Sequence, residues 1–339
     1  MSQPRDFATI LTETATAIHP MLRSHVGALP SGTRHLCGLH FGWWNNDGAI
    51  SASPMKSKFI RAMLALLTCQ AAGAEPGAAY PAAVAVELLH NASLIHDDII
   101  DGDAIRRGRP ALWAAKGIPA ALLAGDALLF SSVQALAKIT DTHRATTTLL
   151  AAAQTLIEGE YRDVLLESAS QASEHQVLSV AAEKTAELLA CACELGAIAG
   201  GARTELVTNF RSFGHNLGLA FQCADDIVGI WGDPSVTGKP ARSDLRQRKL
   251  SMPVAVALAG HTPQAQALRT LYGKNPPLSD DDCERAAVII EQTDAREATM
   301  RRVRRHTADA IYSLSLAQPE PIPAAELTII ANQLINRER

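Results

Sequence analysis

The sequence predicts an all-α fold, and three observations carry the prediction. Apolar residues recur on a three-to-four-residue rhythm through one segment after another. Hydrophobic residues make up 47% of the chain, weighted to Ala and Leu, while aromatics reach only 4%. That composition suits closely packed helices, because strands enrich in β-branched and aromatic side chains. No stretch of any length alternates with period two, and no repeat or low-complexity run interrupts the pattern. With 339 residues and no linker between two halves, the chain is read as a single domain over 1–339.

Residues 6–28 form the first expected helix, with Phe7, Ile10, Leu11, Ile18 and Leu22 at helical spacing and Pro20 as the point of a bend. Residues 30–55 read as loop, punctuated by Pro30, Gly32, Gly38, Gly42, Gly48 and Pro54. The adjacent Trp43 and Trp44 there read as packing or a lid anchor without a chemical role. Helices are expected over 57–72, over about 80–100 after the Pro76-Gly77 break, and over 118–138. Long ones follow at about 143–168, 174–201 and 205–230. A polar loop covers 232–249. Ser251 and Pro253 then make a helix-start signal, a capping hydroxyl ahead of an early proline. Shorter helices begin near 252, 263, 279 (with Ser279 as cap), 294 and 322.

Bulk properties exclude several classes of function. A net charge of -4 and a pI near 6.3 leave no basic face for nucleic acid, so an anionic substrate has to be held by local cations and metal. The six cysteines form no CxxC and no His-rich cluster, which reads as reduced buried thiols in a cytoplasmic protein. The N-terminus lacks a charged-then-apolar signal pattern. No uninterrupted run of about 18 apolar residues occurs, so no membrane span is expected.

The chemistry concentrates in two stretches. In ELLHNASLIHDDIIDGDAIRRGR, residues 87–109, an apolar helix runs into Asp97, Asp98 and Asp101, and Arg106, Arg107 and Arg109 follow. Asp97 and Asp101 are four apart, so both carboxylates lie on one face of the helix. Two hard oxygen donors at that spacing suit Mg²⁺, which takes one or two protein carboxylates and completes its shell with water and phosphate. Guanidinium groups just downstream are natural phosphate partners. Taken alone, the stretch serves equally well as a solvated helix end. A second one raises the functional reading: Asp225 and Asp226 again end an apolar helix, and Lys239, Arg242, Arg246, Arg248 and Lys249 follow. Two helix-borne acid clusters can face each other across a bundle, where three Mg²⁺ ions could clamp one diphosphate.

The motifs LLHNASLIHDDIID–RRGRP, GEYRD, EKT, FGHNLGLAFQCADD, GKPARSDLRQRKLSMP and LINRER, with Lys58 and Arg61 ahead of them, resemble in order and spacing those of the trans-isoprenyl diphosphate synthases, the polyprenyl synthetase family. The wording DDIVGIWGDPSVTGKP is closest to actinobacterial geranylgeranyl-type members. The resemblance implies a large helical bundle of the isoprenoid synthase type with a central cavity, and a homodimer. It implies that Asp97 and Asp101, with Asp98 in support, bind two Mg²⁺ ions and that Asp225 takes a third. By the same resemblance Arg106 holds the allylic diphosphate, while Arg107, Lys58, Arg61 and His90 form the isopentenyl diphosphate pocket. Lys184, Thr185 and Gln222 line the allylic carbocation, and Lys184, Lys239 and Lys249 contact the leaving diphosphate.

Three departures stand out. The family usually has GGKRxRP where residues 56–62 read KSKFIRA, which keeps Lys58 and Arg61 and alters the loop. The second motif is usually DDxxD, and its last position is Gly229; Asp233, two turns on if the helix continues, is the expected partial substitute. Glu160 stands where the family often has Gln. Product length is read from Ala92 and Ser93, five and four residues before the motif. In relatives with shorter products an aromatic there floors the tunnel; two small residues imply C20 or longer, with geranylgeranyl diphosphate favoured. Two other classes stay open: a terpene cyclase or unusual coupling enzyme on the same fold, and a non-catalytic partner subunit of a hetero-oligomeric synthase.

Overall fold

The computed structural model describes residues 3–45, 49, 57–167, 169, 171–233, 242–274 and 277–335. The expected helices are there: α1 (Phe7–Gly27), α3 (Ile60–Ala71), α4 (Tyr80–Ile100), α6 (Ile118–Ala135) and α7 (Thr142–Glu167). So are α8 (Glu174–Ala181), α9 (Glu187–Ala199) and α10 (Thr204–Trp231), followed by α12 (Met252–Ala259), α13 (Pro263–Tyr272), α14 (Asp280–Glu291), α15 (Ala295–Leu316) and α16 (Pro321–Ile335). Short α5 (Leu112–Lys116) and α11 (Ser243–Arg246) lie between them. The all-α expectation holds.

Three local expectations are corrected. Residues 31–40, read as loop, form α2 (Ser31–His40). Its Gly38 is not a breaker: a Cβ there would collide with the Trp44 indole, whose Nε1 donates to the His35 carbonyl at 2.8 Å. The expectation of no strand fails at β1 (Ile105–Arg106) and β2 (Arg109–Pro110), paired antiparallel with Arg106 opposite Arg109. Arg107 and Gly108 between them both have positive φ, 52° and 75°, the requirement of a type I′ hairpin turn. A two-residue strand leaves no periodicity to read. Finally, the stretch 174–201 is not one α-helix, because residues 182–186 form a π-helical turn between α8 and α9.

The chain divides into two compact units, and every crossing between them falls inside a helix. The first unit comprises Met1–Ala153, Cys191–Arg211 and Leu316–Leu327. Here α4 packs on α3 and most extensively on α6, where glycine at 125 leaves room for His96. Trp43 is buried, stacked on Phe41 at 4.6 Å with the Arg23 guanidinium 5.2 Å from its ring centre; the tryptophans are packing residues. Glu326 of α16 is 1% exposed and accepts from the Arg5 backbone N and Nε, both at 2.8 Å, and from Nη2 at 2.6 Å. By length and composition the stretch Ile118–Lys138 could cross a membrane. Its Ala121, Ala124 and Leu128 are buried in this unit, while Leu122, Leu123 and Phe130 are exposed.

The second unit comprises Gln154–Ala190, Ser212–Ser315 and Thr328–Arg339. Its core gathers Cys223, Ile227, Ile230, Leu245, Met252, Leu268, Tyr272 and Ile290. Two glycines bring helices onto the π-helical turn. A Cβ at Gly218 of α10 would collide with Ala186, and one at Gly159 of α7 would lie 2.7 Å from the Lys184 backbone N.

Candidate active site

In the first unit, α4 delivers the first acid motif. Asp97 and Asp101 present carboxylate oxygens within 4.8 Å of one another, both half-buried. This pair fits the preference of Mg²⁺ for one or two carboxylates with room left for other oxygens. Asp98 is buried and points elsewhere: Arg106 Nε donates to its Oδ1 at 2.7 Å, and Arg106 Nη2 reaches Asp97 Oδ2 at 3.3 Å. Burial pushes the Asp98 carboxyl up, with Arg106 opposing. Its Oδ2 is buried with no hydrogen-bond partner among the described residues. The carboxylates thus hold Arg106 in place, while Arg107 projects from the hairpin turn, exposed. Arg109 donates to the Gly42 carbonyl at 3.2 Å and to Asn45 Oδ1 at 3.3 Å.

Arg61 lies in the first turn of α3. Burial pushes its pKa down to about 10, with Glu87 opposing and Arg107 adding to the fall. It therefore stays charged at neutral pH as a desolvated cation suited to an anion. Burial and the nearby Arg61, Arg107, Arg106 and His40 hold the His90 pKa well below its ordinary value, so His90 is a neutral hydrogen-bonding group. Lys58 lies in the segment before α3 and is exposed. Ala92 is buried, and Ser93 Oγ donates to the His90 carbonyl at 2.8 Å.

In the second unit a cleft of about 180 Å³ is lined by Lys184, Thr185, Gln222, Asp225 and Lys249. These five predicted residues come from the π-helical turn, from α10 and from the segment before α12. Lys239 lies outside the described residues. Lys184 Nζ bridges Asp163 Oδ2 at 2.8 Å and Glu160 Oε2 at 2.9 Å, so Glu160, at the position where the family often has Gln, pairs with a lysine. Thr185 Oγ donates to Gln222 Oε1 at 2.7 Å, and Gln222 Nε2 donates to Asp226 Oδ1 at 2.8 Å. Asp226 is 8% exposed, and burial pushes its carboxyl up to about 7 against the pull of the Met252 and Gln222 N–H donors.

The continuing helix on which a substitution by Asp233 depended is not found. Helix α10 ends at Trp231, and Asp233 is exposed beyond it, next to Pro234, which disfavours helical backbone in the residue before it. Asp244 of α11 occupies the place instead. A Cβ at Gly229 would collide with the Asp244 carboxylate, which lines the same cleft as Asp225. Sequence reasoning missed Asp244 because it lies 19 residues from Asp225 in a polar segment; the SDLR string was the only signal. It also named the wrong cap. Ser251 precedes α12 but its Oγ makes no cap bond and is buried without a partner among the described residues; Asp226 accepts the Met252 N–H at 2.8 Å.

The polyprenyl synthetase family model matches residues 49–290. The chain belongs to the polyprenyl synthetase family. This polyprenyl synthetase is 37% identical to the geranylgeranyl diphosphate synthase of Mycobacterium tuberculosis over 99% of its own length and 96% of the relative's. It is 36% identical to the (2E,6E)-farnesyl diphosphate synthase of Mycobacterium bovis over 95% and 90%. A polyprenyl synthetase structure from Streptomyces coelicolor A3(2) superposes with a TM-score of 0.93 at 36% identity, covering 97% of this chain and 100% of that one. The chain is thus a prenyltransferase of the isoprenyl diphosphate synthase type. Its relatives differ in product, so family membership alone leaves chain length open.

Proposed function

We propose that this polyprenyl synthetase condenses isopentenyl diphosphate head-to-tail with an allylic diphosphate in a Mg²⁺-dependent reaction, giving geranylgeranyl diphosphate. The observation that carries the reading is the cleft where Lys184, Thr185, Gln222, Asp225 and Lys249 converge. Cations for the leaving diphosphate and oxygen dipoles for the carbocation meet there, as allylic ionisation requires.

Asp97, Asp101 and Asp225 would hold the Mg²⁺ ions, whose chemistry is to neutralise charge developing on the departing diphosphate. Lys184, Lys239, Lys249 and Arg106 bind its oxygens. Arg61, Arg107 and Lys58 hold the isopentenyl diphosphate, and neutral His90 adds a hydrogen bond. As the allylic C–O bond breaks, the oxygens of Thr185 and Gln222 face the cation. The isopentenyl double bond then supplies the electron pair for the new C–C bond, and a proton leaves to the diphosphate just released. Apolar walls exclude the water that would quench the cation.

Small Ala92 and Ser93 leave the growing chain room to reach C20. The 37% identity to a geranylgeranyl diphosphate synthase supports that length. The whole chain is proposed to act as one cytoplasmic catalytic domain, and the exposed Leu122, Leu123 and Phe130 of α6 are proposed to pack against a second copy rather than a bilayer. The test is a product assay. Purified protein receives isopentenyl diphosphate with dimethylallyl, geranyl or farnesyl diphosphate and Mg²⁺, and dephosphorylated products are sized. A ladder ending at C20 is the expected result. Consumption of the allylic substrate with isopentenyl diphosphate untouched would move the reading to a cyclase.

A further inference from the structure

The second aspartate of the second acid motif is left without work by the metal reading, yet it is the most enclosed carboxylate at the cleft, 8% exposed. Both of its oxygens are engaged by protein N–H groups: Oδ1 by Gln222 Nε2 and Oδ2 by the backbone N of Met252, each at 2.8 Å. Met252 is the first residue of α12, and its N–H is one of the donors that a helix start cannot satisfy internally. One carboxylate therefore joins α10 to the start of α12.

We infer that Asp226 is a positioning residue, not a metal ligand: it fixes which way the Gln222 amide faces, and through it the hydroxyl of Thr185. Both Asp226 oxygens act as acceptors, Oδ2 for the Met252 N–H and Oδ1 for the Gln222 NH₂, so the amide presents its nitrogen to the carboxylate. The Gln222 carbonyl is thereby turned to Thr185, from whose hydroxyl it accepts a hydrogen bond at 2.7 Å. With its hydrogen committed to Gln222, the Thr185 oxygen keeps its lone pairs for the cleft. The order Asp226, Gln222, Thr185 thus fixes the orientation of two oxygen dipoles. This rests on the proposed roles of Thr185 and Gln222 at the cation.

The test is Asp226→Asn, nearly identical in shape. The Asn carbonyl is expected to keep the Met252 N–H, which turns its NH₂ toward Gln222. Two NH₂ groups then meet, and the Gln222 amide flips, presenting N–H to Thr185 where a carbonyl stood. With wild-type elongation measured alongside, kcat is expected to fall by about 100-fold, the usual loss for one preorganised electrostatic group. KM for both diphosphates and the Mg²⁺ concentration for half-maximal rate are expected to stay within about twofold. The deciding variant is Gln222→Glu in the Asp226→Asn background. A carboxylate at 222 accepts from both the Asn NH₂ and the Thr185 hydroxyl, restoring the original pattern. The double variant is expected to recover at least tenfold of the lost kcat, whereas Gln222→Glu alone sets two carboxylates together and loses activity.

Thermal melts read the same coupling without turnover: each single variant is expected to lower Tm and the pair to restore it. A rise of severalfold in the Mg²⁺ requirement of Asp226→Asn would make Asp226 a metal ligand and overturn the inference. So would a double variant no better than the worse single one in both rate and Tm. A wild-type protein that elongates nothing would refute the proposed function, and the melts would still decide the hydrogen-bond order.

Discussion

Gly229→Ala is the smallest change that tests how the second acid site is built. In an ordinary helix the substitution stabilises by about 1 kcal/mol, because Gly is the poorer helix former. Here the added methyl would run into the Asp244 carboxylate. Overpacking of that kind costs about 1–3 kcal/mol, so the net expectation is a loss of about 1 kcal/mol and a fall in Tm of about 2–4 °C. Because Asp244 lines the cleft with Asp225 and Lys249, moving it is also expected to slow elongation by about tenfold, the rate equivalent of some 1.4 kcal/mol. The assay pairs thermal melts with turnover, and repeats both in an Asp244→Ala background. There the obstacle is gone, and the same Gly229→Ala change is expected to raise Tm by a similar amount. The reversal of sign is the signature. A Gly229→Ala variant that melts higher than wild type with Asp244 in place would refute the account of that glycine.

Three further outcomes are expected. Ala92→Phe, which puts an aromatic on α4 five residues before Asp97, is expected to shorten the main product by at least one C5 unit in the product assay; an unchanged distribution would remove Ala92 from the tunnel wall. Glu160→Gln neutralises one of the two carboxylates that Lys184 bridges, Asp163 being the other, and weakens competition for its charge, so KM for the allylic diphosphate is expected to fall severalfold in steady-state kinetics. Glu326→Gln is expected to cost about 2–3 kcal/mol at pH 7 in denaturant melts, less than a fully enclosed ion pair because the Arg5 side chain is 32% exposed. Burial raises the Glu326 carboxyl, but hydrogen bonds from Arg5 overrule it and hold it below its ordinary 4.5. A depressed carboxyl stabilises fully above its unfolded value and loses that stabilisation as pH falls through its folded one. The gap between wild type and Glu326→Gln is therefore expected to be constant above pH 4.5 and to close below it.

What the sequence revealed depended on how far a residue's meaning travels along the chain. The helices were legible because their apolar rhythm repeats within each segment. Asp97 and Asp101 were legible because one turn of helix brings them together. Helix α2 was not, because Gly38 serves the Trp44 ring, a partner outside the helix. Asp244 escaped for the same reason, since its meaning lies in the space left by Gly229. Asp226 was visible as a letter of the motif, one helical turn from Gln222, but its job is completed by the Met252 N–H, which sequence proximity does not identify. Capping was misassigned where a tertiary carboxylate outcompeted the local hydroxyl of Ser251.

The π-helical turn at 182–186 has a consequence for how such a site can be gained or lost. A regular α-helix rotates about 100° per residue, so the extra residue held in that turn offsets α9 from α8 by that angle. Removing any one residue from AEKTA would let the two helices fuse into a single regular one, and Lys184 and Thr185 could no longer keep their present bearings relative to both flanks. No choice of side chain repairs a wrong residue count. The cleft is therefore more tolerant of spelling errors than of a skipped letter, and a one-residue deletion scan through 178–190 should find a sharp dead zone where substitution scans find graded losses.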